Sequence, residues 1–274
     1  MIIDSHQHFW KYDPVRDAWI DTSMDVIRKD FLPKDLSPIL KANNIDGCIA
    51  VQADQSEAET EFLLQCAEKN PFIKGVVGWV DLTANNLEER LEYYASNPLF
   101  KGVRHIVQAE KDDYLLRKDV QKGLRKLLKY DLVYDILIFP NQLPSAIALV
   151  EAFPNQKFIL DHIAKPTISK SISEIWVHNI KQLSKHKNVY CKLSGLVTET
   201  INFKFKEEDF KPYIDVVFKA FGPDRIMFGS DWPVCLLAAN YNKVFQIVND
   251  YLENQSIEVK NNILGKNAIK IYNL

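Results

Sequence analysis

Cysteine is scarce in this chain. No two of its cysteines form a C-x-x-C pair, so neither a disulfide framework nor a cysteine-ligated zinc site is a good interpretation. We expect buried, reduced thiols instead. The four cysteines in the 274 residues are Cys48, Cys66, Cys191 and Cys235.

The sequence also lacks an excess of charge of one sign. It has 34 basic and 36 acidic residues, a net charge of -2, and no long basic run. Nucleic acids and anionic membrane surfaces attract basic patches, so we expect neither as a partner. No apolar stretch is long enough to span a bilayer, and the N-terminus lacks the basic and apolar regions of a signal peptide. We predict a cytoplasmic protein that acts on a small molecule.

Several common functional motifs are missing as well. The first apolar run is followed by His-Gln-His at residues 6–8 instead of a glycine-rich turn, which disfavours a dinucleotide-binding fold. The Gly-Ser-Asp stretch at 229–231 is not a serine-hydrolase elbow, because Trp232 stands where the second glycine would be. No H-E-x-x-H motif occurs.

What the sequence does contain is eight short apolar runs that alternate with amphipathic segments. Continuously apolar strands indicate burial on both faces, which is typical of a parallel sheet. Eight such units in about 250 residues predict an α/β fold, a closed (β/α)8 TIM barrel, as a single domain over residues 1–274. An open, doubly wound sheet is the second choice. The runs lie at 2–3, 45–52, 72–80, 100–107, 132–139, 157–163, 189–193 and 225–228.

Polar residues stand where these predicted strands end, which is where barrels of this kind carry their chemistry. Four of the six histidines lie at these ends, whereas His178 and His186 fall in or near a predicted surface helix. Their convergence with a carboxylate predicts an active site. The candidate residues at the strand ends are His6, His8, Gln52, Arg104, His105, His162, Lys165, Lys192 and Asp231.

Alternatives stay open for several of these side chains. His6 and His8 are two residues apart and share a strand face, so they can ligate a metal or polarise a carbonyl. Asp231, near imidazoles, can take a proton from water, or it can cap a helix. Arg104 can hold substrate oxygens, or it can pair with Asp81 or Asp135. Lys192 lies inside a buried strand and is either ion-paired or directed into the site.

Four motifs together resemble those of the amidohydrolase superfamily, in its amidohydrolase-related branch of sugar-acid and pyrone-dicarboxylate lactonases. The resemblance runs nearly from end to end, and the closing segment around 262–268 with Tyr272 shares it. The motifs are His-Gln-His at 6–8, Leu-Asp-His-Ile-Ala-Lys-Pro at 160–166, Cys-Lys-Leu-Ser-Gly at 191–195 and Phe-Gly-Ser-Asp-Trp-Pro at 228–233.

The resemblance implies hydrolysis of a cyclic ester. Asp231 would activate water, and His6, His8 and His162 would polarise the carbonyl or bind a metal. Arg104 and His105 would orient substrate oxygens.

The resemblance also bears on the metal content. The fifth strand lacks the histidine that binuclear members use, so we expect no required cofactor, or at most one divalent cation such as zinc. That cation would be held by His6, His8 and Asp231.

An aromatic-rich segment follows the first strand, and it suits stacking on a sugar ring. This segment favours a sugar aldonolactone as substrate, and the resemblance implies one of the L-fuconolactone or L-rhamnonolactone type, with a homodimer as an option. The alternatives are a zinc-dependent decarboxylase of an aromatic or enoic acid, and a non-catalytic barrel that binds a sugar acid. The predicted substrate-binding residues are Arg104, His105, Gln52, Trp10, Lys165 and Trp232.

Overall fold

Eight parallel strands form the centre of the molecule in the computed structural model, which describes residues 1–274. Each strand pairs with the next in chain order, so the sheet order is β1 to β8 without crossing. The predicted (β/α)8 barrel is confirmed. The strands are β1 Ile3–Gln7, β2 Gly47–Val51, β3 Ile73–Gly78, β4 Phe100–His105, β5 Val133–Ile136, β6 Phe158–Leu160, β7 Val189–Leu193 and β8 Ile226–Phe228.

Helices follow the strands and form the outer layer. Local sequence sets several of their ends: the Ser56 hydroxyl accepts the Glu59 N–H at the start of α2 (3.2 Å), and Gly222 follows the last residue of α7 at a φ of 72°. The helices are α1 Pro33–Ala42, α2 Glu57–Lys69, α3 Leu87–Ala95, α4 Lys118–Leu127, α5 Leu143–Ala152, α6 Glu174–Leu183, α7 Lys211–Phe221, α8 Tyr241–Tyr251, α9 Ile257–Asn261 and α10 Asn267–Tyr272.

The barrel interior has an apolar lower layer. The last helix, α10, closes it from below through Ala268, Ile271 and Tyr272. A second and larger apolar cluster lies between the strands and the surrounding helices. The strand residues of the lower layer are Ile3, Ile49, Val51, Val77, Val133, Ile159, Tyr190 and Met227.

The sixth strand is shorter than the apolar pattern predicts. It ends at Leu160 because the chain then enters a left-handed turn, with φ between 49° and 62° at residues 162–165. Residues other than glycine rarely adopt this backbone conformation, and such strain is concentrated at functional sites. The turn carries His162 and Lys165, both of which line the cavity at the strand ends that is described below. No helix is long and apolar enough to cross a membrane.

Candidate active site

A layer of charged side chains lies directly above the apolar lower layer. Inward positions on a strand are two residues apart, so Val133, Ile159 and Tyr190 are followed on the same face by a second set of residues. That set is charged and fully buried: Asp135, Asp161 and Lys192. Because isolated buried charges are costly, these groups must pair with one another.

Lys192 pairs with both carboxylates of this layer. Its ammonium bonds to Asp135 and lies 3.0 Å from Asp161 Oδ1. It also lies 3.3 Å from His6 Nδ1, so it reaches the underside of the histidine cluster. The hydroxyl of Tyr272 donates to Asp135 at 3.1 Å, which ties α10 to this layer.

Arg104 completes the layer, but with a partner that the sequence does not indicate. Its Nη1 lies 3.1 Å from Asp161 Oδ2 and 3.3 Å from His6 Nε2. The alternative in which Arg104 pairs with Asp81 or Asp135 is therefore wrong, because its carboxylate partner is Asp161. Gln52 lies behind Arg104, where its backbone carbonyl and its Oε1 both accept bonds from Nη2. Arg104 is thus held rigidly, with its guanidinium at the edge of the cavity.

Asp231 faces three histidines at the upper end of the barrel. Its Oδ1 lies 3.3 Å from His8 Nε2, 3.8 Å from His6 Nε2 and 3.9 Å from His162 Nε2. The backbone of Asp231 is in the left-handed region, with a φ of 57°. Its side chain is directed at the rings and caps no helix, so the structure does not support the helix-cap alternative. The four predicted catalytic residues do converge.

Neighbouring residues set the orientation of each ring. Nδ1 of His8 lies 2.7 Å from the carbonyl oxygen of Val51, which only accepts, so this nitrogen carries the proton. His162 Nδ1 lies 2.8 Å from the Ser194 hydroxyl. Gly195 is needed beside it, because a Cβ at that position would stand 2.6 Å from His162 Nδ1.

The charge state of the cluster follows from its burial. Burial opposes ionisation of Asp231, but the interactions with His162, His8 and His6 outweigh it and hold the pKa of Asp231 below its usual range. Burial lowers the pKa of His162 to about 4, and it lowers the pKa of His6 well below the ordinary value. At neutral pH the site therefore combines an ionised carboxylate with uncharged His6 and His162 rings.

The same atoms fit a single divalent cation. The Nε2 atoms of His6 and His8 are 3.2 Å apart, and that of His8 lies 3.3 Å from Asp231 Oδ1. Ligand atoms of a tetrahedral zinc ion, with bonds of about 2.0–2.1 Å, are separated by roughly 3.3 Å. The ligand atoms of His6, His8 and Asp231 are 3.2–3.8 Å apart and match this spacing. In a second group, made of His6, Asp161 and His162, the candidate ligand atoms all lie within 4.8 Å of one another.

A cavity of about 330 Å³ opens above the cluster. Its walls are half apolar and come mainly from the loops that follow the strands. The apolar residues of this wall belong to no sequence motif. The sequence therefore predicts only polar residues of the wall. The lining residues are His8, Trp19, Ala53, Arg104, Ile106, Gln108, Ala109, Leu137, His162, Lys165, Asp231 and Val234.

Four predicted substrate-binding residues do not line this cavity, which corrects their predicted placement. Gln52 lies behind Arg104, as described above. His105 follows an inward residue and so points outward, where it stacks on Tyr114 with ring centroids 4.6 Å apart. Trp10 and Trp232 are buried and pack against Phe31 at centroid distances of 5.6 and 5.2 Å. Trp19 is the only tryptophan on the cavity wall.

Comparison with known proteins identifies the family. A family model described as amidohydrolase matches residues 3–274. The chain belongs to the amidohydrolase family. An L-fucono-1,5-lactonase of Burkholderia multivorans is 38% identical to this amidohydrolase, over 99% of this chain and 96% of its relative. An L-fucono-1,5-lactonase of Burkholderia ambifaria is 35% identical, over 87% and 82% of the two chains.

A solved structure shares both the fold and the sequence. An amidohydrolase from Burkholderia multivorans, crystallised with bound zinc, superposes on this amidohydrolase with a TM-score of 0.96 and 37% identity. The match covers 100% of this chain and 99% of the other. The family resemblance read from the four motifs is therefore confirmed.

The buried state of His162 predicts a change of stability with pH. Between its folded pKa of about 4 and the ordinary 6.5, the unfolded chain binds a proton that the folded chain does not. This histidine therefore reduces stability as the pH falls through that range. From about pH 7.5 to about pH 5, we expect the wild type to lose about 2 kcal/mol more unfolding free energy than His162→Asn. Urea unfolding at both pH values measures this difference.

The matched control is His178→Asn on α6, where the side chain is exposed. This variant should follow the wild type at both pH values. Equal pH dependence in the wild type and His162→Asn would contradict the buried, uncharged state of His162.

Proposed function

We propose that this amidohydrolase hydrolyses a sugar lactone of the L-fucono-1,5-lactone type. The observation that carries the proposal is the Asp231 carboxylate held 3.3–3.9 Å from His6, His8 and His162 at the base of the cavity. The broader prediction, a hydrolase acting on a cyclic carboxylic ester, is confirmed by the lactonase relatives at 35–38% identity.

In the proposed reaction, Asp231 acts as the general base. It takes a proton from water, and the oxygen of that water forms a bond to the lactone carbonyl carbon. The negative charge that develops on the carbonyl oxygen is stabilised by the Arg104 guanidinium and the histidine cluster. Collapse of the tetrahedral intermediate breaks the ring C–O bond, and the proton held by Asp231 passes to the departing ring oxygen. The product is the open hydroxy acid.

A divalent cation has a defined place in this proposal. His6, His8 and Asp231 would hold it, and bound zinc would supply Lewis-acid polarisation of the carbonyl oxygen. Other residues of this chain position the three histidines. Lys192 and Asp161 hold His6 from below, Val51 fixes the proton on His8 Nδ1, and Ser194 orients His162.

The cavity walls favour a neutral polyhydroxy ring over a dicarboxylate. Arg104 is bonded to Asp161 and Gln52, and Lys165 lies 3.2 Å from both Glu199 Oε1 and Gln108 Oε1. Neither cation is free to bind a second carboxylate. The absence of a histidine on β5 counts against the decarboxylase alternative, since the inward residue there is Asp135, bonded to Lys192.

The test is a pH-indicator screen of aldono-1,5-lactones and aldono-1,4-lactones, with and without a chelator. We expect acid release that depends on enzyme and is fastest with L-fucono-1,5-lactone. The rate difference between the chelated and the zinc-supplemented enzyme measures how far the reaction depends on the cation. Absence of turnover on every lactone in both conditions would overturn the proposal.

Trp19 should contribute to substrate binding. Its side chain is 45% exposed and lines the cavity, and a sugar ring stacked on an aromatic face gains about 0.5–1.5 kcal/mol. We expect Trp19→Ala to raise KM about 3- to 10-fold with little change in kcat. The control is Tyr93→Ala, which removes an exposed aromatic ring on α3. Steady-state kinetics measures both, and an unchanged KM in Trp19→Ala would contradict this role.

A further inference from the structure

The first and last strands meet at a junction that is held by both backbone and side-chain hydrogen bonds. The backbone N–H of Asp231 donates to His6 O at 2.8 Å, and that of His8 donates to Trp232 O at 2.7 Å. The Ser5 hydroxyl donates to Phe228 O at 2.6 Å. The strand ends approach so closely here that a Cβ on Gly229 would stand 2.7 Å from His6 Cβ. The geometry of the catalytic cluster therefore depends on this junction.

Asp4 lies at the centre of the junction and has no role in the proposed reaction. A register shift between Asp4 and Gln7 turns Asp4 away from the cavity, while His6 and His8 point into it. The side chain is fully buried. Burial raises the pKa of Asp4 to about 6, against the opposing effect of its hydrogen bonds with Ser230, His6 and Tyr241. Keeping a carboxylate at this position is therefore costly, and a hydrogen-bonding role must offset that cost.

One oxygen of Asp4 joins the two sides of the active site. Oδ1 accepts the backbone N–H of His6 at 3.1 Å and the backbone N–H of Ser230 at 2.9 Å. His6 carries one ring of the cluster, and Ser230 immediately precedes Asp231. Oδ2 accepts the hydroxyl of Tyr241, on the first residue of α8, at 2.9 Å. The two bonds to Oδ1 thus set the distance between the backbone of β1 at His6 and the backbone next to Asp231.

We propose that Asp4 is a positioning residue that holds Asp231 against the histidine cluster by accepting both backbone N–H groups at one oxygen. Asp231 is in the left-handed region, and its flanking hydrogen bonds retain it there. Without the Asp4 oxygen, the 229–232 turn can relax and withdraw the carboxylate from His8. This inference rests on the proposed hydrolytic role of Asp231, since it explains how that base is kept in place.

Two substitutions separate the position of the oxygen from its charge. Asp4→Asn keeps an acceptor oxygen in the same place and removes the charge, and its amide can donate to the Tyr241 oxygen. Asp4→Glu keeps the charge but moves the oxygens by one methylene. We expect kcat of Asp4→Asn to stay within about threefold of the wild type, and kcat of Asp4→Glu to fall about 10- to 100-fold with KM nearly unchanged.

Tyr241→Phe is the matched control, because it removes the bond to Oδ2 and leaves both bonds to Oδ1. Its kcat should stay within about threefold of the wild type. Asp4→Glu with wild-type kcat, or Asp4→Asn or Tyr241→Phe as slow as Asp4→Glu, would each overturn the proposal.

Crystal structures of the Asp4 variants provide a readout that does not depend on turnover. The separation of His8 Nε2 and Asp231 Oδ1, 3.3 Å here, should be kept in Asp4→Asn and lengthened in Asp4→Glu. An unchanged separation in Asp4→Glu would overturn the positioning role. If the wild type hydrolyses no lactone, the proposed function fails, and these structures still decide the role of Asp4.

Discussion

Replacing Asp231 by asparagine is expected to lower kcat for lactone hydrolysis by about 10²- to 10⁴-fold. The carboxamide has nearly the same shape, so the contacts with the histidines can persist, but it cannot take a proton from water. KM should change little, because the carboxamide keeps the shape that Asp231 gives to the cavity wall. Initial rates at saturating lactone measure the loss.

Asp81→Asn is the matched control for Asp231→Asn. Asp81 also follows a strand end, but it is exposed and accepts the backbone N–H of Thr83 at 2.8 Å. Its kcat should equal that of the wild type. Retention of more than about a tenth of the activity in Asp231→Asn would show that another group is the base. Ligand binding and hydrolysis that both survive the substitution unaltered would overturn the assignment of Asp231 as the base.

The second large effect is on stability. Lys192→Met is expected to lower the free energy of unfolding by about 3–5 kcal/mol, because it leaves the buried Asp135 carboxylate without its cationic partner. Asp161 still pairs with Arg104 at 3.1 Å, so most of the lost stability comes from the unpaired Asp135 carboxylate. Urea unfolding followed by circular dichroism measures the change. A loss below about 1 kcal/mol would show that the charged layer is not energetically coupled to folding.

A double variant isolates the cause of that loss. In Lys192→Met with Asp135→Asn, the unpaired charge is gone and a neutral amide remains near the Tyr272 hydroxyl, which lies 3.1 Å from Asp135 Oδ2. We expect the double variant to recover at least half of the stability lost in the single one. If the two losses simply add, packing of the lysine stem, and not charge, explains the effect.

Much of the fold follows from local patterns. The eight apolar runs, continuous because each strand is buried on both faces, predict the barrel, and Pro71 and Gly222 mark where α2 and α7 end. The His-Gln-His alternation correctly placed two imidazoles on one face. Asp231 follows a buried strand and a Gly-Ser turn, and a carboxylate held there near imidazoles predicts a general base. These inferences need only neighbours in the chain and the period of a strand.

The direction of a side chain at a strand end was harder to predict. Arg104 and His105 are adjacent, so alternation requires that only one of them face the cavity, and the sequence provides no means of choosing. The aromatic residues present the same problem, since Trp10, Trp19 and Trp232 are chemically alike. Only Trp19 reaches the cavity wall, where it packs edge-on against the buried Trp10, whereas Trp232 is buried against Phe31.

Sequence patterns alone predict the barrel, the family and the four residues proposed for catalysis. The tertiary structure decided the partners: Arg104 with Asp161, Lys192 with both carboxylates, and Asp4 with Ser230. The physical reason is distance along the chain. Asp4 and Ser230 are separated by 226 residues, and their hydrogen bond exists only because closure of the barrel brings the first strand beside the last.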